Sequence, residues 1–327
     1  MGHYNWKGPY KLYWSNYNRY LECPQRFLWS RGWRGIDLGA GDGKPKPPPD
    51  RSSDHHRLMG DVLAKVFEDL YNQELWRDPA NLKEGLRKRV HDEFDFRLPK
   101  YHIVYKTTPD DTSWRTSPPV RELRVTCVQN IHGYLKTMKV NRLLGTYAKS
   151  EVRLSASLGD GVPIGAKVDL ILRRPETGVW ILDGKNSTQV GVHTDPSQLR
   201  WYALCFYLQY GEMPQALKFI YFRYPAGTPV SEIQGIPEGV EEWDGLVDIP
   251  FDKQDLEGLA ESARVVYQGM SRQDFDAKPD PKTCQFCEYE RICPQRQAQK
   301  KLRSRKKSAL TKKVEDSESA FVSLEFE

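Results

Sequence analysis

The stretch from residue 148 to residue 185 constrains this chain most, because it reads as three β-strands in immediate succession. Residues 148–156, 163–173 and 178–185 are rich in Val, Ile and Leu, and Pro175-Glu176-Thr177-Gly178 supplies a turn between the last two. A meander of this kind must bury at least one face, so helices have to come from the flanking sequence. Apolar residues at Leu58, Val62, Val66, Phe67, Leu70 and Tyr71 repeat at helical spacing between His56 and Trp76. A second helical stretch runs from about Val120 to Met138, and Asp195-Pro196 opens a third over 196–210. Residues 217–224, LKFIYFRY, read as a further strand and 253–272 as a further helix. The order predicts a mixed α/β domain built on a central sheet.

A chain of 327 residues can bury a real core, as one large domain or two small ones. With 39% apolar and 28% charged residues, nine Trp and 17 Tyr, neither a membrane protein nor a wholly disordered chain fits. No apolar run approaches the roughly 20 residues of a spanning helix. The N-terminal MGHYNWKGPYKLYWSNYNRY lacks an h-region, so the expectation is a soluble, cytoplasmic protein with no membrane partner. A net charge of +5 permits nucleic-acid binding without arguing for it. No repeat of fixed period points to a solenoid. Residues 35–54, GIDLGAGDGKPKPPPDRSSD, read as an exposed, mobile loop. At the other end, residues 300–313 carry eight Lys or Arg and no acid, and 315–327 carry five acids and no base. Two readings stand for that tail: a solvated end, or a basic arm on nucleic acid followed by an acidic-hydrophobic peptide for a partner protein.

The sharpest chemistry lies in GAKVDLILRRPETGVWILDGKNS, residues 165–187. Side chains alternate faces along a strand, so Val179, Ile181, Asp183 and Lys185 share one side and Trp180, Leu182 and Gly184 the other. On the preceding strand Lys167, Asp169 and Ile171 share a face, and pairing through the turn can bring Asp169 beside Asp183. Two carboxylates with a lysine nearby are what metal-assisted phosphodiester hydrolysis requires. Oxygen ligands suit Mg²⁺ or Mn²⁺, and an ammonium can hold the attacking water or stabilise the transition state. Gly184 puts no side chain in the way, so its carbonyl could also reach the metal. Taken alone, a D-x-K at the end of a strand is equally compatible with an ordinary solvated strand end.

Six cysteines stand at 23, 127, 205, 284, 287 and 293. Cys127 and Cys205 lie among apolar helical residues and read as buried side chains. Cys284-x2-Cys287-x5-Cys293 is a tight group, and Cys23 precedes a proline as Cys293 does. Four thiolates can hold a [4Fe–4S] cluster or a tetrahedral zinc, but structural zinc usually takes two C-x2-C knuckles and only one exists here. Disulfides do not suit the expected compartment.

These blocks together resemble the PD-(D/E)XK nuclease superfamily, and within it the RecB-like iron–sulfur exonucleases, including the CRISPR-associated Cas-four type. That family reads G-x-x-D, a turn, an apolar strand ending D/E-x-K, and a helix with Q-x-x-x-Y. The corresponding residues are Gly165 and Asp169, with three residues between them rather than two, Asp183-Gly184-Lys185, and Gln198 with Tyr202. The resemblance implies that Asp169 and Asp183 ligate the metal, that Lys185 is catalytic, and that Gln198 and Tyr202 line the DNA site. Glu151 matches an acid often placed near the metal; a surface ion pair explains it equally well. One remote N-terminal cysteine with three near the C-terminus is also that family's pattern, where it holds [4Fe–4S]. A clasp between positions about 260 residues apart would offset several kcal/mol of chain entropy, coupling cluster binding to folding.

One departure matters. The family has an upstream helix G-x-x-x-H whose histidine binds metal, and the matching Gly60-Asp61-Val62-Leu63-Ala64 ends in alanine. Three readings stand: the site works without that ligand, it is inactive, or it borrows His55 or His56. The expectation is one nuclease domain over 1–295, with a helical insert at about 56–145, a catalytic core at about 147–225, and a tail over 296–327. Its expected activity is metal-dependent hydrolysis of DNA, exonucleolytic on single-stranded DNA or single-stranded ends, in recombination, repair or CRISPR adaptation. The alternatives are a nuclease-derived DNA-binding or scaffold subunit that no longer cuts, and a zinc-ribbon protein, which leaves the D…DxK block unexplained.

Overall fold

The structure is a computed structural model, which describes residues 11–32, 53–106, 108, 116–144, 147–187, 189–191, 194–285, 287, 289–290 and 293–298. Most of the Gly/Pro-rich segment 35–54, and all of the charged tail beyond residue 298, lie outside the described residues. In chain order the elements are β1 (Leu12–Tyr13), α1 (Trp14–Glu22), α2 (Pro24–Gly32), α3 (His55–Asn72), α4 (Leu82–Arg97) and α5 (Val120–Val140). There follow β2 (Tyr147–Ser157), β3 (Pro163–Arg174), β4 (Gly178–Lys185), α6 (Pro196–Tyr210), β5 (Ala216–Tyr221), β6 (Leu246–Asp248), α7 (Lys253–Ser271) and α8 (Pro281–Gln285). The chain divides into two compact units. The larger spans residues 9–14 and 51–268; the smaller contains 15–50 and everything from Gly269 onward.

The larger unit is mixed α/β. Its sheet runs β2-β3-β4-β5-β6, antiparallel between β2, β3 and β4, parallel between β4 and β5, and antiparallel again at β6. The two-residue β1 adds to β3 in parallel through Leu12 and Tyr13. Strand alternation sorts the side chains: Leu170, Leu172, Leu182 and Ile220 enter an apolar cluster with α3, α4 and α5. Within it Leu58, Val62, Val66 and Leu70 of α3 meet Leu86, Val90 and Phe94 of α4 and Ile131 and Met138 of α5, all almost fully buried. Asp69 fastens α3 to α4, receiving Arg89 at 2.7 Å and Lys65 at 3.0 Å.

Helix α6 starts and stops on recognisable residues. The Asp195 carboxylate accepts the Ser197 N–H at 2.9 Å, Pro196 occupies the first turn, and Gly211 ends the helix in the left-handed region. Trp201, fully buried, donates its indole N–H to the Gly165 carbonyl at 2.9 Å and so ties α6 to β3. Strand β5 ends at Tyr221, three residues short of the stretch that reads as a strand. The Phe222 N–H turns back to the Lys185 carbonyl, and the chain leaves the sheet towards Pro225. Among the described residues no helix is long and apolar enough to cross a membrane.

In the smaller unit Tyr20, Phe27 and Phe275 pack edge and face at 5.8–6.3 Å between centroids. The Tyr20 hydroxyl donates to the Asp274 carbonyl at 2.7 Å. A Cβ on Gly269 would sit 2.3 Å from that hydroxyl oxygen, so the residue there has to be glycine. A second small cluster joins Trp29, Tyr289 and Cys293, with Cys287 against it.

Candidate active site

The turn after β3 returns the chain with Leu170 opposite Leu182 and Ile171 opposite Ile181. Continued by one residue, that register sets Asp169 against Asp183. The Gly184 N–H donates to Asp169 Oδ2 at 3.0 Å, so the two strands are bonded through the acid itself. Asp183, 3% exposed, lies under α6, where Gln198 Nε2 donates to its Oδ1 at 3.1 Å. Lys185 Nζ lies 2.6 Å from Asp183 Oδ2 and donates to Gln198 Oε1 at 3.1 Å. Tyr202, one turn along α6, receives Gln198 Nε2 on its hydroxyl at 2.7 Å. The one amide of Gln198 thus holds acid, ammonium and phenol in a fixed arrangement.

Glu151 stands where the β2–β3 register would place a partner for Asp169, but the ladder skips it: Ser150 pairs with Leu170 and Val152 with Val168. Its backbone is left-handed, φ +57°, which costs a non-glycine residue of order 1 kcal/mol or more and is held only where the surroundings enforce it. Its carboxylate forms an ion pair with Lys167. Glu151, Asp169, Gly184 and Asn186 line a cavity of about 110 Å³ whose far wall is Ala64, Phe67, Tyr71, Tyr134 and Phe222. Ala64 therefore stands on the wall facing the acids, while neither His55 nor His56 lines this cavity. The glycine of the D-G-K run is needed for packing: a Cβ there would lie 2.3 Å from the Phe222 ring.

Loss of hydration is the largest influence on both aspartates and raises both carboxyls. Asp169 is pushed to about 8, with the neighbouring Asp183 charge adding to the effect of burial and Glu151 contributing less. For Asp183, burial outweighs the opposing pull of Lys185. Burial and then the two aspartates push the Tyr202 phenol far above its usual range, which keeps it a neutral hydrogen-bonding group. Among the described residues no three His, Cys, Asp or Glu groups are gathered closely enough to grip a metal ion as they stand. The donor set still fits a hard divalent cation: buried carboxylate oxygens, mutually repelling, met among the described residues by one ammonium, the Gln198 amide and one backbone N–H.

In the smaller unit, Cys23, Cys284, Cys287 and Cys293 line a single cavity together with Trp29, Arg26 and Arg296. The Cys287 N–H bonds back to the Cys284 carbonyl at 3.2 Å, a turn that presents both side chains from one short loop. None of the six cysteines is in a disulfide. Burial pushes the Cys127 thiol to about 12 and raises that of Cys205, as inert core residues.

Two asparagines that fall in no sequence motif stand beside these groups. Asn186 follows Lys185 directly, and its Oδ1 accepts from Asn130 Nδ2 at 2.8 Å. Asn130 is buried on the inner face of α5, and an amide amid Cys127, Ile131 and Tyr134 was the available signal.

A solved structure described as "Crystal structure of SSO0001" is similar at 17% identity over 54% of this chain and 78% of the other, with a TM-score of 0.28. No curated protein matches. The sequence pattern described as the PD-(D/E)XK nuclease superfamily matches residues 14–294, a span that includes the sheet-borne acids, the lysine and all four clustered or remote cysteines. The chain belongs to the PD-(D/E)XK nuclease superfamily.

Proposed function

We propose that this chain is a metal-dependent deoxyribonuclease that removes nucleotides from DNA carrying a single-stranded end. The observation that carries the reading is the bonded set Asp183, Lys185, Gln198 and Tyr202 beside Asp169. Asp169 and Asp183, with the Gly184 carbonyl and Glu151, are the oxygens that would hold Mg²⁺ or Mn²⁺. When bound, such an ion would draw charge off the scissile phosphate and raise the acidity of water there. Lys185 orients the attacking water or neutralises charge developing on the phosphate, and Gln198 fixes where its ammonium points. Tyr202 supports Gln198 from below. In the smaller unit, Cys23, Cys284, Cys287 and Cys293 would hold a [4Fe–4S] cluster as a structural clasp; the support is their common cavity and their spacing.

Ala64 favours a second reading, a DNA-binding subunit that keeps the fold without cutting, because it occupies the wall opposite Asp169 and Glu151. Incubation of the purified protein with end-labelled single- and double-stranded DNA in Mg²⁺, Mn²⁺ or EDTA separates the two. Cleavage that needs metal and disappears in Lys185→Ala supports the enzyme; binding without cleavage, unchanged by Ala64→His, supports the subunit. A brown protein with visible sulfide-to-iron charge transfer supports the cluster, and colourless protein carrying one zinc refutes it.

A further inference from the structure

Beside the catalytic cavity, helix α5 and the chain that follows β5 enclose a second and much larger one of about 900 Å³. Its walls carry Lys83, Lys136, Lys139, Arg223 and His132, and among the described residues no Asp or Glu lines it. Elsewhere in the larger unit cations are commonly paired: Lys65 and Arg89 with Asp69, Arg97 with Glu93, Arg124 with Asp95, Lys218 with Asp248. The four Lys and Arg of this groove have no carboxylate partner among the described residues. Concentrated positive charge is felt there: after burial of the ring, the charges of Lys83 and Arg87 are what hold His132 below its ordinary range.

The groove is built into the fold. A Cβ on Gly133 would lie 2.5 Å from the Phe222 carbonyl oxygen, so only glycine lets the segment 222–225 close on α5. The same segment joins the groove to the catalytic residues. Phe222 lines both cavities, and Arg223 Nε lies 3.4 Å from Asn186 Oδ1, the oxygen that also receives Asn130. Asn186 is the residue after Lys185 and lines the cavity of Asp169 and Glu151.

We infer that this groove is the track for the DNA strand next to the scissile phosphate, with Lys83, Lys136, Lys139 and Arg223 on successive backbone phosphates. The inference rests on the nuclease reading and extends it by naming where the non-reacting part of the substrate runs. An extended polyanion is the ligand that matches unpaired cations along one wall; base-independent contact is what phosphate binding gives. Asn186 and Arg223 then act as the hinge between track and site, aligning the phosphate that enters beside Lys185.

The test is fluorescence anisotropy of the full-length protein with a labelled single-stranded oligodeoxynucleotide in EDTA, over a range of salt concentrations. Changing Lys83, Lys136, Lys139 and Arg223 together to glutamine should weaken binding by at least about tenfold and lower the slope of log K against log salt by about 3. The exposed single change Lys139→Glu should move both in the same direction, and Lys136→Arg with Lys139→Arg should keep both. An unchanged salt slope in the fourfold variant overturns the inference. So does a wild-type protein that binds polyglutamate as tightly as the oligonucleotide, which would make the groove a site for acidic protein. Metal-dependent cleavage by the wild type is scored separately. Loss of DNA binding in the groove variants of a protein that never cuts would refute the nuclease reading and leave the track standing. A wild type that cuts, with groove variants that bind normally, would do the reverse.

Discussion

The larger unit holds itself together with an extensive apolar core, including a cluster that runs from Leu58 to Leu246 and the buried side chains of β3, β5 and α6, whereas the smaller shows a few packed aromatic rings and a cavity lined with thiols among its described residues. The two therefore need different things to stay folded. In the larger unit the acids of the candidate site are a local expense, buried and repelling, carried by the surrounding core. In the smaller, the buried apolar side chains described are fewer, among them Tyr20, Phe27, Leu28, Trp29 and Tyr289, and the proposed cluster would add to what they supply. Breaking the first unit's site should spare its fold; breaking the second unit's cavity should not.

The largest effect should come from the cysteines. If the proposed cluster is bound, changing Cys293 to serine, or stripping the cluster with a chelator under reductant, should destabilise the smaller unit by about 5 kcal/mol, the closure entropy of so long a loop. Limited proteolysis read by mass spectrometry should then find new cuts within residues 15–32 and beyond Gly269, with the sheet protected. Equal cutting in β2 to β5 would show that the units unfold together, and the comparison would fail.

Next in size is Asp183→Asn, which removes the charge and keeps the shape. Cleavage of end-labelled DNA should fall by at least ~10³-fold, about 4 kcal/mol of transition-state stabilisation. Thermal melting, measured without divalent metal, should not fall, because burial already makes the Asp183 charge unfavourable in the folded chain. A melting temperature several degrees lower would mean that the Lys185–Asp183 pair is a structural support, and the contrast between the units would narrow.

Much of this arrangement could be read from residues, and the parts that could not have physical causes. Strands β2 to β4 stood out by alternation and by the turn at Pro175, and α6 by Asp195, Pro196 and its length. Helix α4 carries Leu82, Leu86, Val90 and Phe94 at intervals of four, a narrow stripe that stands out weakly because charged residues occur in every gap. The end of β5 was invisible because Phe222 and Tyr224 continue the apolar pattern; it is packing of Phe222 on Gly184 that turns the chain. The pairing of Asp183 with Lys185 and of Gln198 with Tyr202 follows from strand and helix periods, and Asp169 opposite Asp183 from the turn between β3 and β4; the docking of Gln198 on Asp183 does not. The left-handed backbone of Glu151 and the Asn130–Asn186 bond do not, since both depend on which elements meet in space.

A third test strikes the core that the comparison credits to the larger unit. Leu86 is fully buried between α3 and α5, and Leu86→Ala should cost about 3 kcal/mol in urea unfolding. If the cluster colour and the protection of residues 15–32 survive in that variant at low urea, the units are separate in stability; if the colour bleaches with the first loss of sheet structure, they are not.

The smallest effect concerns His55, 4% exposed at the start of α3. Burial first, then the charges of His56 and Lys106, lower its pKa to about 4 from an ordinary value of 6.5. Between those values the unfolded chain takes up a proton that the folded one refuses. His55 therefore supports folding above about pH 6.5, and that support drains away as the pH falls towards 4. Discounted for solvent screening, the loss is about 1–2 kcal/mol. Unfolding free energies from urea titrations near pH 7 and pH 5 should differ by that much less in His55→Gln than in the wild type. Because α3 belongs to the larger unit, the difference should be seen in the unfolding of the sheet and be absent from bleaching of the cluster. An equal pH dependence in both proteins would place the acid sensitivity in other groups.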